Sequence, residues 1–263
     1  MQKIVFIGAG NLATRLSKAL FEKGHEIVQI YSRTEESASM LAKSLACNYT
    51  TKTEEISKNA DIYIISVSDG AYEDVLGSID FNNKLIVHTS GSLSIEILKN
   101  YSENYGVLYP LQTFSKAREP DFTVIPFCIE ANTIRNEEFL HEFAKTVTTD
   151  IRNINSEQRK KLHLAAVFAS NFTNHMYYLA ERIIEKENLP FDILIPLIEE
   201  VAEKVKHLNP AEAQTGPAKR KDLNIIAEHL KMLKDDEDIS RIYKILTFNI
   251  VYSDKKNEPD KTL

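Results

Sequence analysis

Short apolar runs alternate with helical stretches over the first 153 residues of the chain. The early runs are almost entirely apolar, which is typical of strands covered on both faces of a parallel sheet. The predicted strands are 3–7, 26–31, 61–66, 85–88, 106–109, 124–130 and 149–153, and the predicted helices are 11–23, 35–45, 72–78 and 137–147. This alternation predicts an α/β fold with a doubly wound, mostly parallel sheet.

From Ser156 onward the apolar positions recur with helical spacing only. One long helix is predicted from Ser156, a residue type that caps helix N-termini, to a stop at residues 188–190. Further helices are predicted over 192–206 and from residue 224. We therefore predict two domains, a sheet domain over residues 1–153 and an all-helical domain over residues 154–263.

The first predicted strand runs directly into a turn that fits the dinucleotide fingerprint G-x-G-x-x-A. Gly8 permits the tight turn, Gly10 lets the backbone approach a pyrophosphate, and Ala13 lets the helix pack closely on the sheet. Backbone N–H groups around Gly10, Asn11 and Leu12 would hold the phosphates at the start of the helix. A glycine turn of an unrelated α/β protein is the alternative, but the strand before the motif and the helix after it favour a Rossmann-type cofactor site.

The end of the second predicted strand indicates which dinucleotide would bind. NAD sites usually carry an acid at this position, whereas this chain has Ser32, Arg33 and Thr34. A forked cation with two hydroxyls suits a 2′-phosphate, which favours NADP over NAD and over the adenosyl ligand of a methyltransferase. The alternative is that Arg33 follows the strand into solvent while Thr34 caps the next helix.

Polar residues also follow the next three predicted strands, at the sheet edge where α/β sheets bind ligands. We predict that four of these strand-end residues contact the cofactor, namely Val67, Ser68, Thr89 and Ser90. We predict that His88 and Gln112 contact the substrate. Each of them could instead be an ordinary turn residue.

The long predicted helix supplies a second polar group. His163, Ser170 and Asn174 fall on one helical stripe, with Asn171 beside it. We predict His163 as a proton donor, Asn171 as an orienting catalytic group and Asn174 as a substrate contact. A stripe that is simply hydrogen-bonded to a neighbouring helix is the alternative. Later in the chain, a Gly-Pro bend precedes Arg220, which we predict to bind substrate or cofactor.

Composition excludes several other classes of function. The net charge is −6 with no basic half, which argues against nucleic-acid binding. No apolar run approaches the roughly 18 residues that span a bilayer, and no signal-peptide pattern is present. The two cysteines, Cys47 and Cys128, lack metal-ligand spacing, so we expect no metal site and reduced thiols. We therefore expect a cytoplasmic protein that acts on a small molecule.

Six motifs spread over nearly the whole chain resemble one bacterial family: GAGNLA, SRT, HTSGSLSIEIL, YPLQTF, HLAAVFASNF and GPAKRKDL. The family joins a Rossmann-like domain to a helical C-terminal domain of unknown function, and its members are labelled NADP oxidoreductases. It is related to pyrroline-5-carboxylate reductase, ketopantoate reductase and the 6-phosphogluconate or β-hydroxyacid dehydrogenases. The resemblance implies a homodimer formed through the helical domain.

The chain departs from these relatives at two positions. The β-hydroxyacid dehydrogenases have a catalytic lysine four residues before an asparagine, and Val167 stands four residues before Asn171 here. The arginine of the GPA loop is followed by Lys221-Asp222 instead of Gly-Asp. We predict an NADP-dependent oxidoreductase that transfers a hydride to or from a small C=O or C=N substrate. The alternative is an NADP-binding sensor or assembly protein without turnover.

Overall fold

The computed structural model describes residues 1–252 and divides into two compact units. The first unit is Met1–Phe172, and the second begins at Thr173. The predicted domain boundary at residue 153 coincides with the end of the last strand, whereas the first compact unit also contains the helical residues that follow. A separate domain from residue 154 onward stays a prediction.

The first unit is built on one eight-stranded sheet. Its strands are β1 Lys3–Ile7, β2 Glu26–Tyr31, β3 Asn48–Thr50, β4 Ile62–Ile65, β5 Leu85–His88, β6 Tyr105–Pro110, β7 Phe127–Ala131 and β8 Ile151–Asn153. Its helices are α1 Asn11–Glu22, α2 Glu35–Leu45, α3 Tyr72–Leu76, α4 Ile134–Ala144 and α5 Ser156–Ala166, and a π-helical segment, Val167–Phe172, follows α5.

The strands lie in the order β3-β2-β1-β4-β5-β6-β7-β8, and β7 is antiparallel to β6 while the other neighbouring pairs are parallel. The first six strands have the order of a dinucleotide-binding sheet, with its topological switch point between β1 and β4. At that point the Ser66 N–H donates to the Ile7 carbonyl at 2.7 Å. The predicted Rossmann-type α/β sheet is confirmed.

Both faces of the sheet are covered, and alternate residues of the central strands serve opposite faces. In β1, Ile4 and Phe6 belong to the core under α1 and α2, whereas Val5 and Ile7 belong to the core that contains α3. All four side chains are fully buried. This two-sided burial explains the continuous apolar runs in the sequence and fixes the strand ends that carry the candidate site.

The second unit is helical, as predicted. Its helices are α6 Thr173–Glu185, α7 Ile195–His207, α8 Pro210–Ala213, α9 Pro217–Arg220, α10 Leu223–Met232 and α11 Glu237–Tyr252. Arg182 of α6 donates to the Asp236 carboxylate at 2.9 Å, just before α11 begins. Over residues 1–252, every helix is too short or too polar to cross a membrane.

Candidate active site

The turn after β1 has glycine at position 8 because of its backbone. Gly8 has φ +119°, and its N–H donates to the Tyr31 carbonyl at 2.8 Å. A Cβ at Gly8 would lie 2.1 Å from the Ser66 carbonyl oxygen, which is far inside van der Waals contact. Only glycine therefore fits where β1 and β4 come together at the switch point.

Gly10 is glycine for a different reason. Its φ of −73° is open to any residue, and a Cβ there would meet no protein atom within 4 Å. The position instead opens onto a pocket of about 330 Å³. Helix α1 starts at the next residue with no acid in its first turn, and no side chain of the described residues caps it. The free N–H groups and the open space fit a dinucleotide pyrophosphate.

This first pocket extends from the glycine turn to the end of β2. It is lined by Gly8, Ala9, Gly10, Asn11, Tyr31, Ser32, Arg33, Ser37, Ser66, Val67, Ser68, Ala71, Val75 and Lys116. Arg33 and Lys116 are cations, and no carboxylate stands among the described lining residues. The donors Ser32, Ser37 and Arg33 suit a 2′-phosphate. Thr34 precedes α2 as its N-cap and lies outside this lining.

A second pocket of about 430 Å³ shares the glycine turn and reaches the ends of β5 and β6. Its lining includes the predicted residues Asn11, Leu12, Val67, Thr89, Ser90, Gln112 and His163. The structure thus brings residues from four predicted strand ends and from the long helix to one cleft of the first unit. Because Gly10, Asn11, Ser66 and Val67 line both pockets, the two are continuous.

His163 is held in this cleft from two sides. Its Nδ1 lies 3.1 Å from the Tyr109 hydroxyl. The ring packs directly on Gly91, where a Cβ would stand 2.6 Å from Nδ1. Burial raises the pKa of Tyr109 to about 12, so the phenol stays protonated at neutral pH. With Nδ1 engaged by Tyr109, Nε2 is the ring nitrogen left to exchange a proton.

Arg159, one turn before His163, was not predicted as a site residue. Its side chain is fully buried, and it donates to the Glu130 carboxylate at 2.6 Å and to the Ser90 and Leu93 carbonyls at 3.2 and 2.6 Å. The guanidinium therefore fixes the turn after β5 against the start of α5. A basic residue four positions before His163, and therefore on the same face of α5, is the sequence signal for this role.

A third pocket of about 560 Å³ borders the second one beyond His163. Tyr109, Gln112, Phe114 and His163 line both. Its remaining lining is mostly small or apolar and comes from the loop after β6, from α5 and from the π-helical segment: Leu111, Thr113, Leu162, Ala165, Ala166, Val167, Ala169, Ser170 and Asn171. The two predicted catalytic residues, His163 and Asn171, therefore face one cavity. π-Helical turns are frequent at functional sites.

His88 does not line the cleft. Its side chain is fully buried at the end of β5, where Nδ1 accepts a hydrogen bond from the Ser90 N–H at 3.2 Å. Burial, together with the nearby Arg159 guanidinium, lowers the pKa of His88 to about 3. The prediction that His88 contacts substrate is corrected, because its imidazole belongs to the core and shapes the turn that carries Thr89 and Ser90.

Two predicted substrate contacts belong to the second unit. Asn174 lies in the first turn of α6, and Arg220 ends the short helix α9. Gly216, with φ +102°, is the N-cap before that helix, and Lys221 is the C-cap after it, in the left-handed region at φ +58°. The local turn thus has the geometry that the Gly-Pro pair predicts, while substrate contacts of Asn174 and Arg220 stay predictions.

Comparisons with known proteins agree with this architecture. Residues 3–91 match the family model "NADP oxidoreductase coenzyme F420-dependent", and residues 125–250 match the domain of unknown function DUF2520. The chain is 50% identical to "putative NADP oxidoreductase BF3122" from Bacteroides fragilis, with a TM-score of 0.91 over 95% of this chain and 98% of that chain.

More distant proteins share the fold. A 1-pyrroline-5-carboxylate reductase from Streptococcus pyogenes is 15% identical, with a TM-score of 0.64 over 95% of this chain and 98% of that one. An imine reductase from Myxococcus stipitatus, solved with NADP+, is 16% identical, with a TM-score of 0.69 over 97% of this chain and 95% of that one.

Curated relatives match only in part. A glutamyl-tRNA reductase from Methanococcus maripaludis is 29% identical over 184 residues, which are 61% of this chain and 47% of that protein. The chain thus spans less than half the length of the curated relatives it matches. The near-complete match at 50% identity and the two family models confirm the predicted family and the predicted NADP cofactor. The chain belongs to the NADP oxidoreductases that join an F420-dependent-type NADP oxidoreductase domain to a DUF2520 domain.

Proposed function

We propose that this oxidoreductase reduces a small C=N substrate, or the corresponding C=O compound, beside His163. The observation that carries the proposal is the position of His163. This residue lines both the second pocket, which is continuous with the first pocket at the glycine turn, and the larger third pocket. A proton-transferring group at this junction suits reduction of a polar double bond, because the substrate nitrogen or oxygen gains a proton when its carbon gains a hydride.

When bound, NADPH supplies the hydride. The cradle at Gly10 and Arg33 binds and orients that cofactor through the pyrophosphate and the 2′-phosphate. Thr89 and Ser90, at the end of β5, are the polar contacts for the nicotinamide end. His163 gives a proton from Nε2 to the substrate nitrogen or oxygen, and the contact between Nδ1 and Tyr109 holds the ring in place.

The larger pocket receives the rest of the substrate. Asn171 and Gln112 are its neutral polar groups for orienting the reacting bond, and the alanine-rich wall excludes water. Asn174 and Arg220 are proposed as additional substrate contacts. The C=N class is favoured over other small molecules because proteins with this fold include an imine reductase and a pyrroline-5-carboxylate reductase.

The proposal also covers the partners, the cellular compartment and the oligomeric state of the protein. The reacting molecule is a small metabolite, with no nucleic acid or membrane as partner. The protein works in the cytoplasm, where its two free cysteines stay reduced. It forms a homodimer through its helical second unit, a proposal supported by exposed apolar side chains on α7, among them Leu197, Val201 and Val205 at i, i+4 and i+8 spacing.

The test is a screen of NADPH oxidation by the full chain with cyclic imines, acyclic imines, keto acids and aldehydes. Once a substrate is found, we expect His163→Ala to lower kcat by about 100-fold or more. Gly91→Ala keeps the imidazole but pushes its ring away, so it is expected to lower kcat similarly. His141→Ala is the control, since this half-buried histidine of α4 hydrogen-bonds through its side chain to Asn153 and lines none of the three pockets.

Two outcomes would contradict this account. Unimpaired turnover by His163→Ala would remove its role as the proton donor. Tight NADPH binding without oxidation by any compound of the screen would favour the alternative function, a cofactor-binding sensor or assembly protein.

A further inference from the structure

We propose that Lys116, carried by the loop after β6, is a second cation for the 2′-phosphate of NADPH. Together with Arg33 it would set the preference for the phosphorylated dinucleotide. The proposal rests on the cofactor function of the same cleft. It adds a residue that is distant in sequence from the glycine turn and from the end of β2.

The loop of residues 111–120 leaves β6 and returns to the start of α1, and β4 and β5 lie between β6 and the strand β1 that precedes α1. The Asn11 side-chain amide donates to the Phe114 carbonyl at 3.1 Å. Arg15 donates through Nε to the Ser115 carbonyl at 2.9 Å and through Nη2 to the Lys116 carbonyl at 2.5 Å. Helix α1 therefore holds three consecutive residues of the loop by their backbone.

Arg15 is the main anchor of this loop. Its side chain is only 7% exposed, although it carries a charge. The ion pair with Glu119 adds little, because the Glu119 side chain is 84% exposed and its charge is screened by solvent. The carbonyls of Ser115 and Lys116 are therefore the groups that satisfy the buried guanidinium. These two contacts fix the loop against α1.

The anchored loop brings Lys116 into the wall of the cofactor pocket. Arg33 lines the same pocket from the end of β2, and Ser32 and Ser37 add neutral donors. With two cations and no carboxylate among the described lining residues, the pocket favours a group with more than one negative charge. A phosphate monoester carries such a charge at neutral pH. NADH lacks that group, so Lys116 should distinguish the two cofactors.

The test compares Lys116→Gln with the charge-retaining Lys116→Arg, using calorimetric titration of the full chain with NADPH and NADH. For Lys116→Gln we expect the Kd of NADPH to rise about 5- to 10-fold, which is appropriate for one exposed charge, while the Kd of NADH changes less than about twofold. Lys116→Arg should stay near wild type. Lys99→Gln is the matched control, because Lys99 pairs with Glu96 and lines none of the three cleft pockets.

Arg15→Gln tests the anchor. If Arg15 acts through Lys116, this variant weakens NADPH and adds little further loss in the Lys116→Gln background. Additive losses would overturn the positioning role of Arg15. Unchanged NADPH affinity in Lys116→Gln, or equal weakening of both dinucleotides, would overturn the role of Lys116 while leaving the cofactor function intact. A wild-type chain that binds neither dinucleotide would overturn both.

Discussion

Gly8 and Gly10 of the turn after β1 are required for different reasons, which the structure distinguishes. At Gly8 the backbone conformation and the Ser66 carbonyl leave no room for a side chain. At Gly10 the space belongs to the pocket, so a side chain would compete with a ligand but not with the protein. The fingerprint in the sequence predicts both glycines, but it does not distinguish folding from binding.

This difference gives a paired prediction at the residue scale. Gly8→Ala should lower the free energy of unfolding by at least about 2 kcal/mol because of its positive φ and the clash with Ser66. Gly10→Ala should change it by no more than about 1 kcal/mol, yet raise the Kd of NADPH by tenfold or more as the methyl group enters the phosphate site. Thermal unfolding and NADPH titration measure the two effects. A Gly10→Ala variant with wild-type affinity for NADPH would contradict a phosphate site at Gly10.

His88 gives a prediction for pH dependence. Its pKa is lowered to about 3 in the fold, chiefly by burial, from the ordinary value of 6.5. Between these values the unfolded chain binds a proton that the folded chain does not, so stability is complete above pH 6.5 and falls as the pH drops toward 3. The contribution is at most about 1.4 kcal/mol per pH unit.

Urea unfolding at pH 7 and pH 5 measures this effect. We expect His88→Gln to show a smaller loss of stability between the two pH values than wild type, by up to about 2 kcal/mol. His141→Gln, at a half-buried histidine of α4, serves as control and should keep the wild-type difference. If His88→Gln lost as much stability as wild type, the imidazole would not be the group that titrates.

At the scale of elements, burial decides what the sequence predicts well. The strands 3–7, 26–31 and 85–88 have the predicted bounds because most of their residues are apolar and buried. Strand β3, Asn48–Thr50, is not among the predicted strands, since it is a short, partly exposed edge strand of polar and aromatic residues. The predicted strand from residue 124 begins only at Phe127, because Phe122–Val124 forms a 3₁₀ turn.

The sequence predicts the candidate site only where local motifs define it. Local motifs predict the glycine turn, Arg33 and the polar strand ends, because each depends on neighbours in sequence. Lys116 and Arg159 depend on contacts between distant segments, the loop after β6 with α1 and the start of α5 with the turn after β5. The π-helical segment is also invisible to apolar spacing, which predicts one regular helix through residues 156–187.

Arg159 provides the prediction for the connection between α5 and the sheet. Arg159→Met should lower the free energy of unfolding by about 3 kcal/mol or more, because it leaves the Glu130 carboxylate without its cation and the Ser90 and Leu93 carbonyls without the guanidinium donor. Arg152→Met is the matched control. Arg152 pairs with Asp150 at the surface and should contribute little. Equal stabilities of the two variants would contradict the anchoring role.

At the scale of the whole molecule, the described residues that line the three pockets all belong to the first unit. The second unit exposes a stripe of large apolar side chains on α7. If this face forms the proposed homodimer, Val201→Asp should convert the dimer to a monomer in sedimentation equilibrium, because a buried charge has no partner there. Glu199→Gln, two residues away, should leave it dimeric. A wild-type chain that sediments as a monomer would contradict the proposal.

The central claim is that the glycine turn and the end of β2 form a site for NADPH. Calorimetric titration of wild type and Arg33→Ala with NADPH and NADH tests it most directly. We expect wild type to bind NADPH about tenfold or more tightly than NADH, because Arg33 makes charge-assisted contacts that only the 2′-phosphate offers. Arg33→Ala should remove most of this difference while NADH binding is kept. Equal affinity of wild type for both dinucleotides, or equal weakening of both by Arg33→Ala, would contradict the account.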